Sequence, residues 1–307
     1  MAGKNRRQRR HRQSLVSDSP FIRLQNEVTQ NSRLRLGLIE VLEHRYDAKV
    51  VTLFTSFTRT SGGMISDSDA EMLESLLAVE QDKGKLILVL NSPGGQALAA
   101  ERIVNVCRAY AGDSFEVMVP HMAKSAATMI CLGASCIHMS TTAELGPVDP
   151  QVPYKDDKGN EHWISADEYV RSYHQLFSEA ASGQTPRIEP HLQQLARYDA
   201  RLVEQLKSAQ SLSADISVRL LKVSMMTRKT DDEIRASMDV FLTQQKTSAH
   251  GRMITFDEAK SCGLNVVPID LHSDVWNTLW ELYVRSNYVV SAQCSKLMES
   301  SSSSVSA

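Results

Sequence analysis

Two apolar runs, Leu86–Leu90 and Phe115–Val119, each end in a turn rich in small residues, and each turn leads into a segment with helical spacing. Runs this short and this uniformly apolar suit strands buried on both faces. The first turn is Asn91-Ser-Pro-Gly-Gly95, followed by a stripe of Leu98, Ile103, Val104, Cys107 and Tyr110; the second passes His121 and Ser125 into Ala126–Leu132. Strand, helix, strand, helix in this order calls for right-handed βαβ units and a mostly parallel sheet. Both turns then fall at one edge of that sheet, where open α/β sheets place their sites.

The flanking chain agrees with an α/β reading. Phe21–Leu42 has apolar residues near helical spacing, Val50–Phe57 reads as a strand, and Ser66 or Asp67 can cap a helix carrying Met72, Leu73, Leu76 and Leu77. Tyr154–His162 reads as a charged loop, and Ala166–Ala181, roughly 190–223 and Asp231–Gln245 as helices, with Thr230 or Asp231 as a cap. Thr255 caps a further short helix ended by Gly263, Leu264–Val267 is a strand, and Asp274–Val289 is a last amphipathic helix. The domain is therefore expected over residues 21–292, between a basic arm at 1–20 and a disordered, low-complexity serine-rich tail at 293–307.

Composition excludes several classes. A chain with 42% hydrophobic and 23% charged residues is a globular one. Its formal net charge of -2 gives no global attraction to nucleic acid, yet Lys4, Arg6, Arg7, Arg9, Arg10 and Arg12 crowd the start. Such an arm is either solvated or touches nucleic acid or an acidic membrane through phosphate attraction. No apolar segment follows it, so neither a secretory signal nor an anchor is expected and the protein is read as cytoplasmic. The five cysteines form no CxxC pair and are read as reduced core thiols. None of the nine histidines lies in an HxxxH or HExxH pattern, so no metal site and no cofactor are expected.

Chemistry enters through the turns. Adjacent glycines after a buried strand can point backbone N–H groups outward as an anion nest. Ser125, at the start of an apolar helix, sits where first-turn N–H groups are unpaired. By itself it reads as an N-cap, since Ser before an apolar helix is what capping predicts. Together with a nest at Gly94 and Gly95 and the N–H of Ala126, it reads as a candidate nucleophile beside an oxyanion hole.

LILVLNSPGG, VPHMAKSAATMICLGASCIHM, ELGPVDPQ and HGRMITFDEAKSCGLNVV carry a resemblance that spans about Val50 to Pro268. The chain resembles the serine dehydrogenase proteinase family of the ClpP/crotonase superfamily, relatives of signal peptide peptidase A and of the ClpP serine peptidases. The resemblance implies a ClpP/crotonase-like fold of stacked βαβ units with a helical insertion over about 166–245. It also implies peptide-bond hydrolysis with Ser125 as nucleophile, oxyanion donors at Gly94 or Gly95 and at Ala126, and a homo-oligomer. An ATPase or regulatory partner is left open.

The chain departs from the ClpP pattern at the base, where Glu144-Leu-Gly-Pro-Val-Asp149 has no histidine. Three sources remain open by that resemblance. His250 could act with Asp149, in a triad whose acid and base positions are exchanged; Lys124 adjoins Ser125; and Lys155 or Lys158 lies in the hydrophilic loop. His121, in the connecting turn, is a further contender, and His138 is read as structural. A catalytically weak scaffold recruited by the basic arm is the alternative function. A crotonase-like acyl-CoA enzyme, for which Glu144 and Asp149 are the nearby acids, is a lesser one.

Overall fold

The computed structural model describes residues 20–59, 62–79, 84–155, 159, 161–183, 187–242 and 252–307. The basic arm and His250 lie outside the described residues, as does Lys158. Helix α1 (Pro20–Tyr46) leads into strand β1 (Lys49–Thr55), whose residues are all buried. Then follow α2 (Asp67–Ala78), β2 (Lys85–Asn91), α3 (Ala97–Tyr110) and β3 (Ser114–Val119). The two-residue strand β4 (Met122–Ala123) precedes α4 (Ala126–Leu132), β5 (Cys136–Met139) and the equally short β6 (Glu144–Leu145).

The next section departs from the sequence pattern. The stretch expected as a charged loop begins and ends in paired strands, Tyr154 with His162 and Lys155 with Glu161, of an antiparallel pair β7 (Gln151–Lys155) and β8 (Glu161–Ser165). Gln151–Lys155 carries Pro153, which reads against a strand, and Glu161–Ser165 sets Trp163 and Ile164 side by side rather than in alternation. Helices α5 (Ala166–Ala181), α6 (Glu189–Leu195), α7 (Ala200–Lys222), α8 (Asp231–Ser237) and α9 (Asp239–Leu242) make up the helical section. The helix expected over 190–223 is thus two, separated just before Asp199, whose side chain caps α7 by accepting from Arg201 N. The chain closes with α10 (Phe256–Ser261), β9 (Val266–Pro268), α11 (Asp274–Ala292), β10 (Lys296–Glu299) and β11 (Ser304–Ser306). Thr255 caps α10 in a reciprocal box with Glu258, as its spacing predicts.

The main sheet runs β11-β10-β1-β2-β3-β5-β9, with β1, β2, β3, β5 and β9 parallel. Each parallel strand adds on the same side of the last, so right-handed crossovers put α2, α3 and α4 on one face. Alternation follows from this. Val51, Leu53, Leu86, Leu88, Leu90 and Val117 pack toward those helices, while Val50, Phe54, Ile87, Val89 and Met118 pack against α1 and α11 on the other face. Both faces are covered, which is why β1 and β2 read as unbroken apolar runs.

The serine-rich tail is a correction to the sequence reading. Rather than being disordered, β10 pairs antiparallel with β1 and closes that edge, and β11 folds back on it. Two charges go into the core with β10, each fully partnered. Lys296 Nζ lies 2.8 and 2.7 Å from the two oxygens of Asp69, and Arg35 meets Glu299 through Nε and Nη2, both at 2.7 Å. Deleting one member of a buried pair strands the other, at a cost of about 3–5 kcal/mol. Glu299→Ala is therefore expected to lose about that much stability in urea unfolding, with the exposed pair Arg102–Asp67 as a control whose loss shifts the midpoint little.

Candidate active site

The strand ends bring the two turns together through a short backbone ladder. Ser92 N donates to Met122 O and Lys124 N to Ser92 O, both at 3.0 Å, so β4 runs beside the residue that opens the glycine turn. Asn91 Oδ1 accepts from Met122 N at 3.1 Å, and Thr128 Oγ1 lies 2.7 Å from Ala123 O and 2.9 Å from Gly146 O. These contacts pin the chain immediately before and after Ser125.

Ser125 itself adopts φ 51° and ψ -117°. For a residue with a side chain this is a sparsely populated conformation costing on the order of 1–3 kcal/mol. An ordinary N-cap has extended backbone, as Thr255 has here with φ -77° and ψ 170°. Consistent with that difference, Ser125 makes no side-chain cap hydrogen bond. A sharp strand-to-helix elbow lifts a nucleophile's hydroxyl clear of the backbone, and strain of this kind gathers at functional sites.

The glycine turn lies directly against the elbow. Gly94 has φ 106°, and a Cβ there would sit 2.5 Å from Lys124 O and 2.8 Å from Ser125 Cβ. At Gly95 a Cβ would sit 2.2 Å from Ile65 O. Ile65 N donates to Gly94 O and Gln96 N to Ile65 O, which turns the N–H of Gly95 to the opposite side of that bridge. Among the described residues no hydrogen bond uses the N–H of Gly95 or of Ala126. Gly94 N, by contrast, donates to Ser92 Oγ at 3.1 Å, and that hydroxyl also meets Thr55 Oγ1 at 2.8 Å.

Ser125 and both glycines line a cavity of about 240 Å³ with largely apolar walls from Phe57, Met64, Pro93 and Pro150. Phe57 and Met64 follow β1, and the sequence reading passed over them. The signal was available, because the end of β1 reaches the same sheet edge as the end of β2.

The remaining candidates are placed as follows. Lys124 does not line the cavity: its Nζ lies 2.7 Å from Glu144 Oε1 and 3.2 Å from Leu145 O. Asp149 is buried and accepts from Ser165 Oγ at 2.6 Å and Asp167 N at 3.3 Å, contacts that anchor the start of α5. Glu144 and Asp149, the acids of the acyl-CoA reading, both serve the scaffold in these contacts. Lys155 ends β7 in the hairpin. His138 Nε2 meets Glu116 Oε2 at 2.6 Å, on the face of the sheet away from α2, α3 and α4, and does not line the cavity.

Against this geometry the comparisons fall into place. Residues 26–157 match the ClpP-like SDH-type serine proteinase family. The matched segment contains Ser125 and both turns, and gives the chain a serine peptidase-like scaffold. An uncharacterized protein of Methanocaldococcus jannaschii is 29% identical over 268 residues, covering 83% of this chain and 81% of that protein. A second uncharacterized protein of that organism is 36% identical over 88 residues, 29% of each chain. Among solved structures, a mutant ClpP1 from Listeria monocytogenes resembles the chain at 15% identity and a TM-score of 0.38, over 78% of this chain and 99% of that one.

His121 belongs to the support of the site. Its Nδ1 is 3.0 Å from the Tyr283 hydroxyl and its ring packs on Tyr283 at 5.1 Å. Burial lowers its pKa below the ordinary value; Glu144 opposes that shift and Lys124 adds to it. A lowered pKa in the folded state means that His121 costs nothing above its ordinary value of about 6.5 and withdraws stability as pH falls below it. The fall in melting temperature between about pH 7.5 and pH 5.5 is therefore expected to be smaller in His121→Gln than in the wild type.

Proposed function

We propose that this protein is a serine peptidase whose nucleophile is Ser125. One observation carries the reading: a non-glycine residue held at positive φ, facing a cavity, beside two backbone N–H groups with no described acceptor. The Ser125 hydroxyl attacks a peptide carbonyl, and the oxyanion that forms is received by the N–H groups of Gly95 and Ala126. Gly94 lets the turn approach closely, and Ser92 holds it there through Gly94 N. The apolar walls suit an uncharged side chain of the substrate.

The proton acceptor comes from outside the two turns. Lys124 is engaged with Glu144, and His121 with Tyr283. His250, with Asp149 as its acid, is our first assignment, and Lys155 or Lys158 of the hydrophilic stretch 154–162 is the second. In this reading the protein acts as a homo-oligomer on peptide or protein substrates without a cofactor. The lack of a histidine in Glu144–Asp149, where ClpP peptidases carry their base, favours the second reading, a ClpP-like scaffold without turnover that the basic arm recruits to nucleic acid or an acidic membrane.

Labelling with a fluorophosphonate separates these readings. Wild type is expected to label and Ser125→Ala to remain dark, while a folded wild type that stays dark would decide for the scaffold. His250→Ala should abolish labelling and peptide turnover while Lys124→Ala retains both, and the reverse result would move the base to Lys124. Gly94→Ala forces the turn off the elbow and is expected to cut peptide turnover about 10²–10³-fold with Ser125 intact, the scale of losing one oxyanion donor.

A further inference from the structure

At the opposite end of the sheet, three side chains of different chemistry converge on the face that α1 covers. Glu116 of β3 and Cys136 of β5 are register partners, and His138 stands two residues along β5 on the same side. One donor atom from each lies within 4.8 Å of the other two, and all three residues are buried. Lys85, at the start of β2, holds Glu116 Oε1 at 3.1 Å, while Oε2 faces His138 Nε2 at 2.6 Å. The Tyr46 ring covers His138 edge-on at 5.4 Å. No described hydrogen bond uses Cys136 Sγ, so the thiol faces the pair without a role of its own.

We propose that Glu116, Cys136 and His138 form a binding site for a zinc ion, separate from the Ser125 cavity. The donor set decides the metal: imidazole, thiolate and carboxylate together suit a borderline-soft cation, whereas calcium and magnesium take oxygen ligands. Zinc bonds of about 2.0–2.3 Å space tetrahedral ligands roughly 3.5 Å apart, so Oε2 and Nε2 must part by about an ångström from their 2.6 Å contact while the thiol closes by about as much. Lys85 would remain on Oε1 and orient the carboxylate, as an outer partner does. On binding, the cation replaces the proton between Oε2 and Nε2, which passes to His138 Nδ1 or to solvent; the thiol loses its proton to solvent, and the fourth position is left for water. Lys85, whose side chain is 30% exposed, marks the opening through which the ion enters. The ion would tie β3 to β5 near their starts.

Full-length protein without a polyhistidine tag, stripped with chelator and kept reduced, is titrated with Zn²⁺ and separately with Co²⁺. One zinc per chain is expected, with affinity about tenfold or more weaker in Cys136→Ser and in His138→Gln. The cobalt form should show a thiolate charge-transfer band that Cys136→Ser abolishes and Cys262→Ser keeps. Zinc binding unchanged by both ligand variants, or a wild-type cobalt spectrum without the thiolate band, would overturn the assignment and leave Lys85, Glu116 and His138 as an ion network. The wild-type spectrum decides the matter even if a variant fails to fold.

Discussion

The short backbone ladder between Ser92 and the Met122–Lys124 segment is the contact on which the rest of the candidate site depends. Its two hydrogen bonds, at 3.0 Å each, set the glycine turn against the elbow, with Asn91 Oδ1 and Ser92 Oγ adding one side-chain bond each. Backbone bonds of this kind are modest individually, at about 0.5–1.5 kcal/mol net. Their effect is geometric. They leave so little room at Gly94 that no Cβ fits, and they hold Ser125 in a conformation it would not choose alone. The strain is sustained because the segments before and after Ser125 are both fixed, by β4 on one side and by Thr128 in α4 on the other.

The sheet supplies the rigidity this requires. Parallel strands with helices on both faces bury nearly all of β1 and β2, and the one exposed flank, beside β1, is covered by the antiparallel β10. That flank also explains why charges are buried there. Lys296 and Glu299 alternate with Leu297 and Met298 along β10, and each is met by an opposite charge already in the core. A pair of this kind is no better than packed apolar side chains in net free energy, but a register shift of β10 would part Lys296 from Asp69 and Glu299 from Arg35 inside the core.

Much of the fold was legible from periodicity. The apolar runs of β1, β2 and β3, the stripes of α2, α3 and α11, and the cap at Thr255 follow from local chemistry, and they appear where the spacing puts them. The pattern failed where stability comes from a distant partner. SSSSVSA carries no strand signal, yet Ser304–Ser306 is a strand because β10 lies beside it. The β7–β8 hairpin is equally silent, since its strands pair only with each other. The proposed zinc ligands show the same limit: motif spacing finds metal sites built on one segment, whereas Glu116 and the Cys136–His138 pair come from neighbouring strands.

The sequence by itself determined the α/β class, the alternation of the main strands and helices from α1 to α4, and the two turns with Ser125, Gly94 and Gly95 as the residues to watch. Each of these rests on interactions among neighbours in the chain, which spacing records. Only the tertiary structure decided that Ser125 is an elbow rather than a cap, because that depends on φ, and φ there is imposed by strands that meet across the sheet edge. It alone decided as well that Phe57 and Met64 wall the cavity, and that Lys124 turns to Glu144. The direction of a side chain is set by what packs around it, and those neighbours are remote in sequence.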